Sequence, residues 1–306
     1  MAIQREIWQD YIIKNLFKNN EFLKRSSDAG ANVLSGKVVH IPQAGGLPNV
    51  EKNRSSLPAS VTQRTDTEVT YNLDNYSTDP ILITNAEQIE LSYNKLDNVM
   101  KEHMSTLNQR IADDMLVKWS PSSASSIIRT TGDSVATHLT DTTGNRKRLT
   151  VADIRNAAKV LDKMDMPTQG RVMVMSADMY SQFMDELTAT DKRDFSSTID
   201  PATGRIGRFW NFDIYMRSEV VSFTNAATPV VKAYADPVVA TDNDAVLCWC
   251  EEVVERAVGE INAFEQIKSP VYYGDIYSFE VRMGGRIRRS DEKGIVAIVQ
   301  AAGDGN

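Results

Sequence analysis

Residues 204–218, GRIGRFWNFDIYMRS, gather more chemically capable side chains than any other stretch of the chain. Three guanidinium groups (Arg205, Arg208, Arg217), two glycines three apart and the rings of Phe209, Trp210 and Phe212 are the parts of a phosphate cradle or a base-stacking platform. A cradle needs its loop to open a helix whose free N–H groups face the anion. Here Phe212, Ile214 and Met216 alternate instead, which predicts a strand. Pro201, Gly204 and Gly207 are therefore read as a turn into that strand.

The remaining reactive residues form no recognisable constellation. His40, His103 and His138 are the three histidines, and their spacing matches no metal motif. Cys248 and Cys250 flank Trp249; a two-cysteine metal or redox site is one reading, and a buried strand is the favoured one. The pairs Asp113–Asp114 and Glu251–Glu252 are adjacent in sequence, so on a helix they diverge and read as solvated faces. No P-loop, dinucleotide fingerprint or nucleophile elbow occurs. An α/β enzyme whose site is assembled from distant residues is retained as one alternative, with Arg205 and Arg208 as its anion contacts.

The whole chain narrows the choice. Its 306 residues carry a formal charge of −7 and are 42% hydrophobic and 25% charged, a soluble globular composition. An acidic balance argues against a dedicated nucleic-acid binder. Residues 1–60 nevertheless hold eight Lys and Arg against five Asp and Glu, a mildly basic region on an acidic body. No apolar run suits a signal peptide or membrane span, so no membrane partner is expected. Two cysteines make no disulfide framework, which fits a reducing compartment.

Several elements are expected to position these residues. Ile3, Ile7, Trp8, Tyr11, Ile12 and Phe17 predict an amphipathic helix over residues 3–23. Some sixty residues without helical pattern follow, and Val61 to Ile83 alternates like a strand pair. So little apolar mass cannot bury itself; such a tract is a mobile excursion or an arm whose partner lies on another chain. From Asn85, apolar residues step by three or four through Ile89, Tyr93, Leu96, Met100, Met104, Leu107, Ile111 and Met115, which predicts one long helix over 85–119. Thr84 or Asn85 is its expected cap, and its length is about 50 Å. A Ser/Thr-rich connector covers residues 120–150. Thr150 and Asp153 then open a helix, 171–176 is a strand, and Ser176 caps the next helix. Residues 190–203 read as a loop. Strands are expected at 229–236, 245–250, 256–264 and in the closing segment, giving a mixed α/β subdomain.

This element order, with the local sequences GRFWNFDIYMRSEVV (207–221), ERAVGEI (255–261) and YYGDIYSFEVRMGGRIRRSDEKGIVAIVQA (272–301), resembles the major capsid protein of tailed bacteriophages, the Hong Kong 97-type coat fold. The resemblance covers essentially the whole chain and implies an α+β fold. Residues 1–50 would be an N-terminal arm and 51–83 an extended β-loop reaching over a neighbouring subunit. Residues 84–149 and 257–306 would form a peripheral domain with the spine helix, and 150–256 an axial domain. It further implies a non-enzymatic, self-assembling icosahedral shell around double-stranded DNA, built from pentamers and hexamers in the virion and assembled in the host cytoplasm. No cofactor is implied. The expected partners are further copies of the chain, a separate scaffolding protein (because the arm begins almost at Met1), a portal protein at one vertex, and packaged DNA through non-specific contact only. The basic arm is expected to face the interior, and Arg205 and Arg208 to meet carboxylates of a neighbour. Candidate interface residues are Ile7, Trp8, Tyr11, Lys52, Arg54, Arg64, Arg205, Arg208 and Trp210. A cargo-enclosing cellular shell of the same fold is the nearest alternative.

Overall fold

A computed structural model describes residues 20–34, 37–43, 49–55, 57–58, 61, 63, 66–84 and 95–304. Most of the expected N-terminal helix, the first ten residues of the expected long helix and the cap at Asn85 lie outside these residues. The chain enters through a short turn over Glu21–Lys24, where Phe22 and Leu23 are buried, and then forms β1 (Ser27–Asp28). β2 (Val33–Leu34) and β3 (Val38–Gln43) follow, and β4 (Thr67–Asn72) pairs antiparallel with β3 from Val38↔Asn72 to Gln43↔Thr67. β3 and β4 thus form one hairpin, with β3 before residue 50 and β4 after it. β5 (Asp74–Ser77) and β6 (Ile81–Thr84) lead to the spine helix α1 (Lys95–Lys118).

The described part of α1 buries Met104, Leu107, Ile111 and Met115, the three-and-four stepping that predicted it. Beyond its last turn, Ser120 returns its hydroxyl to the Leu116 carbonyl at 2.8 Å, and Pro121 cannot extend the ladder. The helix lies against a long hairpin, β15 (Val254–Ser269) and β16 (Gly274–Ile287), with β5 and β6 on the outer edge of β16 and β1 on β15. Sixteen residues of extended chain carry β15 about 50 Å.

The second sheet holds the strands of the expected α/β subdomain. The connector contains β7 (Ile127–Arg129), β8 (Ser134–Ala136) and β9 (Asn145–Lys147). After it come α2 (Val151–Lys163), β10 (Arg171–Ser176), α3 (Ala177–Glu186), α4 (Ala189–Ser196), β11 (Gly207–Phe209), β12 (Phe212–Arg217), β13 (Val221–Phe223) and β14 (Asn243–Cys250). The strand order is β11-β12-β10-β14-β17-β7, with β13 beside β14 and β17 (Ile295–Val299) supplied by the C-terminal segment. Every residue of β10, β14 and β17 is buried, as central strands covered on both faces require. The Thr150–Asp153 pair forms the full capping box of α2, and Ser176 accepts from the Met179 amide to start α3.

Two expectations are corrected by these contacts. Residues 189–196 form a helix, not a loop: Thr188 caps it by accepting from the Asp191 amide while its hydroxyl donates to the Asp191 carboxylate at 2.6 Å. Residues 229–236 form no strand, only an isolated bridge from Val231 to Phe223 followed by a turn at Tyr234–Ala235, since Pro229 and Pro237 bound the segment and limit its ladder. β17 and β7 pair into the sheet of residues 171–250 while remote from it in sequence.

Candidate functional site

The opening motif folds as a two-residue hairpin. Phe209 and Phe212 face each other across Trp210 and Asn211, whose φ values of 45° and 66° make the paired left-handed turn that suits strand twist. Phe212 is fully buried, whereas Trp210 is 49% exposed at the tip. Gly207 is explained by packing: a Cβ there would come within 2.3 Å of the Phe195 ring, which packs edge-to-face on Phe183 beside Phe209. No anion is needed to account for that glycine.

The arginines converge on one carboxylate of their own chain. Asp213 takes Arg25 Nη2 at 2.5 Å and Arg205 Nη1 at 3.2 Å, with Arg208 Nε at 3.9 Å, while Arg25 also reaches Glu251 at 2.5 Å. The expected neighbour carboxylate is therefore preceded by an internal one, because β12 places Asp213 beneath the turn that carries Arg205. Arg25 is the residue that sequence reasoning missed; nothing in its surroundings marks a partner 188 positions away. The Asp213→Asn variant keeps the shape but removes the charge holding the arginines. It is expected to lose about 1–3 kcal/mol in urea unfolding.

Two indoles and one guanidinium fix the entering segment. Trp249 Nε1 donates to the Arg25 carbonyl at 2.9 Å, and Arg256 Nη1 donates to the Leu23 and Ser26 carbonyls and the Ser26 hydroxyl, each at 2.9 Å. Trp119 Nε1 donates to the Glu255 carbonyl at 3.1 Å, tying the end of α1 to β15.

The histidines divide by environment. His40 pairs with Glu68 across β3 and β4. His103 is buried on α1, its ring edge-on to Phe279, and burial lowers its pKa. His138 Nε2 meets the buried Asp244 at 2.9 Å, and Ser176 donates to the same carboxylate oxygen at 2.5 Å. Both groups turn toward the carboxylate, so the hydroxyl is not held for attack by the imidazole. Burial acts to lower the His138 pKa, but the Asp244 hydrogen bond and charge, with Asp178 nearby, raise it above the ordinary value. A raised folded-state value means the pair stabilises fully below the ordinary histidine pKa and is lost as pH rises through the raised one. The urea midpoint of the protein should therefore lose a His138-dependent component as pH rises from the ordinary histidine pKa through the raised one, and His138→Gln should abolish that component. Cys248 and Cys250 are buried free thiols; burial pushes Cys250 up to about 11 and Cys248 further, as befits core residues. Among the described residues no group of three His, Cys, Asp or Glu is arranged to hold a metal.

The other candidate interface residues are scattered. Lys52 is exposed, and Arg54 pairs with Glu51 at 3.3 Å in the stretch joining β3 to β4. Ile7, Trp8, Tyr11 and Arg64 lie outside the described residues. Among the exposed apolar side chains are Val50, Leu57 and Val61 in that joining stretch and, at a second extremity, Val271, Tyr272 and Tyr273 at the far end of the β15–β16 hairpin, with Ile199, Val230, Val239 and Phe264 among those elsewhere. The run VYYG at that second extremity was legible as apolar, but not as the tip of a projection.

Comparison with known proteins sets this geometry in context. A family model described as phage capsid protein matches residues 27–300. The fold is similar to a structure from Mycobacterium phage Che8, with 18% identity, TM-score 0.60 and 90% of each chain covered. It is also similar to the capsid of Ralstonia phage GP4, with 13% identity, TM-score 0.63 and 92% and 88% of the two chains covered. A virus-like particle from Pyrococcus furiosus shares it at 9% identity and TM-score 0.53, covering 96% of this chain and 99% of that one. Comparison with curated proteins gives no match.

Proposed function

The chain belongs to the phage capsid protein family and is a structural, shell-forming subunit with the Hong Kong 97-type fold, and from that premise we propose how its copies assemble and with what. The family match over residues 27–300 carries the reading. Copies associate as pentamers and hexamers into an icosahedral shell enclosing double-stranded DNA. A scaffolding protein and a portal at one vertex are the partners, and assembly takes place in the host cytoplasm. The role needs no catalytic step: Asp213 neutralises the arginine cluster, and Ser176 and His138 spend their hydrogen bonds on Asp244. The body is acidic, which suits a wall that confines DNA without gripping it. Lys52, Arg54, Arg205, Arg208 and Trp210 are proposed as intersubunit contacts, and the N-terminal segment with Ile7, Trp8, Tyr11 and the later Arg64 as further ones.

A hairpin with exposed apolar residues at its far end is a liability in a monomer, and neighbours in a shell would cover it. Negative-stain microscopy of the purified protein, alone and with its scaffolding partner, tests the reading. Closed or tubular shells are expected; a discrete small oligomer under both conditions would overturn it. The likeness to the Pyrococcus virus-like particle keeps the cargo-shell alternative in view. Particles from infected cells containing a protein cargo and no DNA would decide for that alternative.

A further inference from the structure

The exposed charge of this acidic chain is unevenly placed, and two helices of the second sheet carry opposite signs. On α3 the exposed charged residues are Asp178, Asp185 and Glu186, all carboxylates. On α2 they are Arg155, Lys159 and Lys163, together with Asp162. Asp162 is bonded at 2.6 Å to Arg171, which is 1% exposed, so that pair is neutral and the three cations stand as a surplus. Arg155, Lys159 and Lys163 are four apart, so they line one face of the helix in steps of about 6 Å, about 12 Å in all. None of the three has an ion-pair partner among the described residues. Glu186, which accepts from the Val151 amide at 2.6 Å, lies at one end of the stripe, and the exposed Asp165 lies beyond the other.

Like charges four apart on a helix repel, and a helix face that meets only solvent ordinarily alternates them with carboxylates. An uncompensated stripe on a chain of formal charge −7 is therefore matched to an anionic partner. The chemistry of the face narrows that partner further. Its remaining exposed positions are Ala152 and Asn156, and Val151 and Val160 are half-buried. It thus lacks the large apolar or aromatic anchor on which a protein interface is centred. Evenly spaced cations with an amide beside them are instead what a phosphate backbone takes, since contacts to it are made by Arg, Lys and Asn without any pocket.

We propose that the Arg155–Lys159–Lys163 face of α2 contacts the phosphate backbone of double-stranded DNA within the shell, which assigns this face of the subunit to the interior. The proposal rests on the shell reading and names where the wall meets the genome. Three cations per subunit give a contact that is weak and salt-labile, in keeping with a wall that does not grip. The first test acetylates DNA-filled particles and the same particles emptied of DNA, and reads the lysines by mass spectrometry. Relative to the exposed Lys268 of β15, labelling of Lys159 and Lys163 is expected to be about threefold or more lower in filled particles. The second measures binding of a short mixed-sequence duplex to the purified chain across a salt series. In the combined variant Arg155→Gln, Lys159→Gln, Lys163→Gln, the slope of log affinity against log salt is expected to become shallower by about 2 to 3. The variant Lys101→Gln, Arg110→Gln, Lys192→Gln loses the same formal charge and is expected to keep the wild-type slope. Equal loss in the two variants would show a net-charge effect and refute the site. An α2 variant that keeps the wild-type slope but no longer assembles with scaffold would assign the stripe to an acidic protein and refute the DNA contact. Normal particles with equal labelling in the filled and emptied states would overturn the proposal and leave the shell reading standing. Failure of the wild-type chain to form particles with its scaffold would overturn both.

Discussion

Arg256→Ala is expected to release the entering segment from the sheet and to cost about 3–5 kcal/mol of stability. The residue is 8% exposed, and three of its contacts are 2.9 Å bonds to the Leu23 carbonyl, the Ser26 carbonyl and the Ser26 hydroxyl. A fourth bond reaches Asp28 at 3.2 Å. Truncation would leave the Ser26 carbonyl without its donor, the Leu23 carbonyl with only the Ser26 hydroxyl at 2.7 Å, and Asp28 without its cation, so the loss exceeds that of an ordinary surface pair. The segment carries Phe22 and Leu23 into the main core, where Phe22 packs edge-on to Trp249. Its release would therefore open apolar surface as well. Urea unfolding measures the loss, and trypsin cleavage at Lys24 and Arg25 reports the release. Arg256→Lys restores one charge but not the fork, and should recover only part of the deficit. Wild-type stability and protease resistance in Arg256→Ala would refute this account of the anchor.

The helical elements were legible wherever periodicity and capping coincide. Thr150 with Asp153, Ser176, and the stepping of Met104, Leu107, Ile111 and Met115 all act within a few residues, and each is realised as read. The helix at 189–196 was missed because Asp, Lys and Arg fill half of its length and Phe195 is its one buried residue. Long-range pairing was not legible. That β17 lies between β14 and β7, or that Arg25 reaches Asp213, depends on chain segments brought together only by the completed core. The same holds for the opening motif. GRIGRF carried the composition of an anion loop, but Phe195 accounts for Gly207 and Asp213 for the arginines, and both partners are supplied by the fold.

The junction of spine and hairpin gives the other large effect. Gly285 of β16 lies where α1 ends: a Cβ would meet the Glu255 carbonyl at 2.8 Å, Met115 Sδ at 2.8 Å and Trp119 Nε1 at 3.0 Å. The first of these atoms is backbone of the paired strand and cannot move without opening the ladder. The third is already committed as donor to that carbonyl. Gly285→Val must therefore displace α1 from the sheet or break the Trp119 bond, and about 3 kcal/mol or more is expected to be lost. Gly285→Ala carries the same Cβ without the branches, and its loss should be smaller but of the same kind. Trp119→Phe separates the two causes. It removes the bond while leaving ring bulk, so adding it to Gly285→Val should cost less than the sum of the two single losses if they share the Trp119 contact. Strict additivity would show instead that the clash is borne by Met115 and the strand alone. Because α1 packs on the β15–β16 hairpin at this junction, the same substitution should also prevent uniform particles under conditions where the wild-type chain makes them. Closed particles of wild-type size from Gly285→Val would show that shell curvature does not depend on this junction.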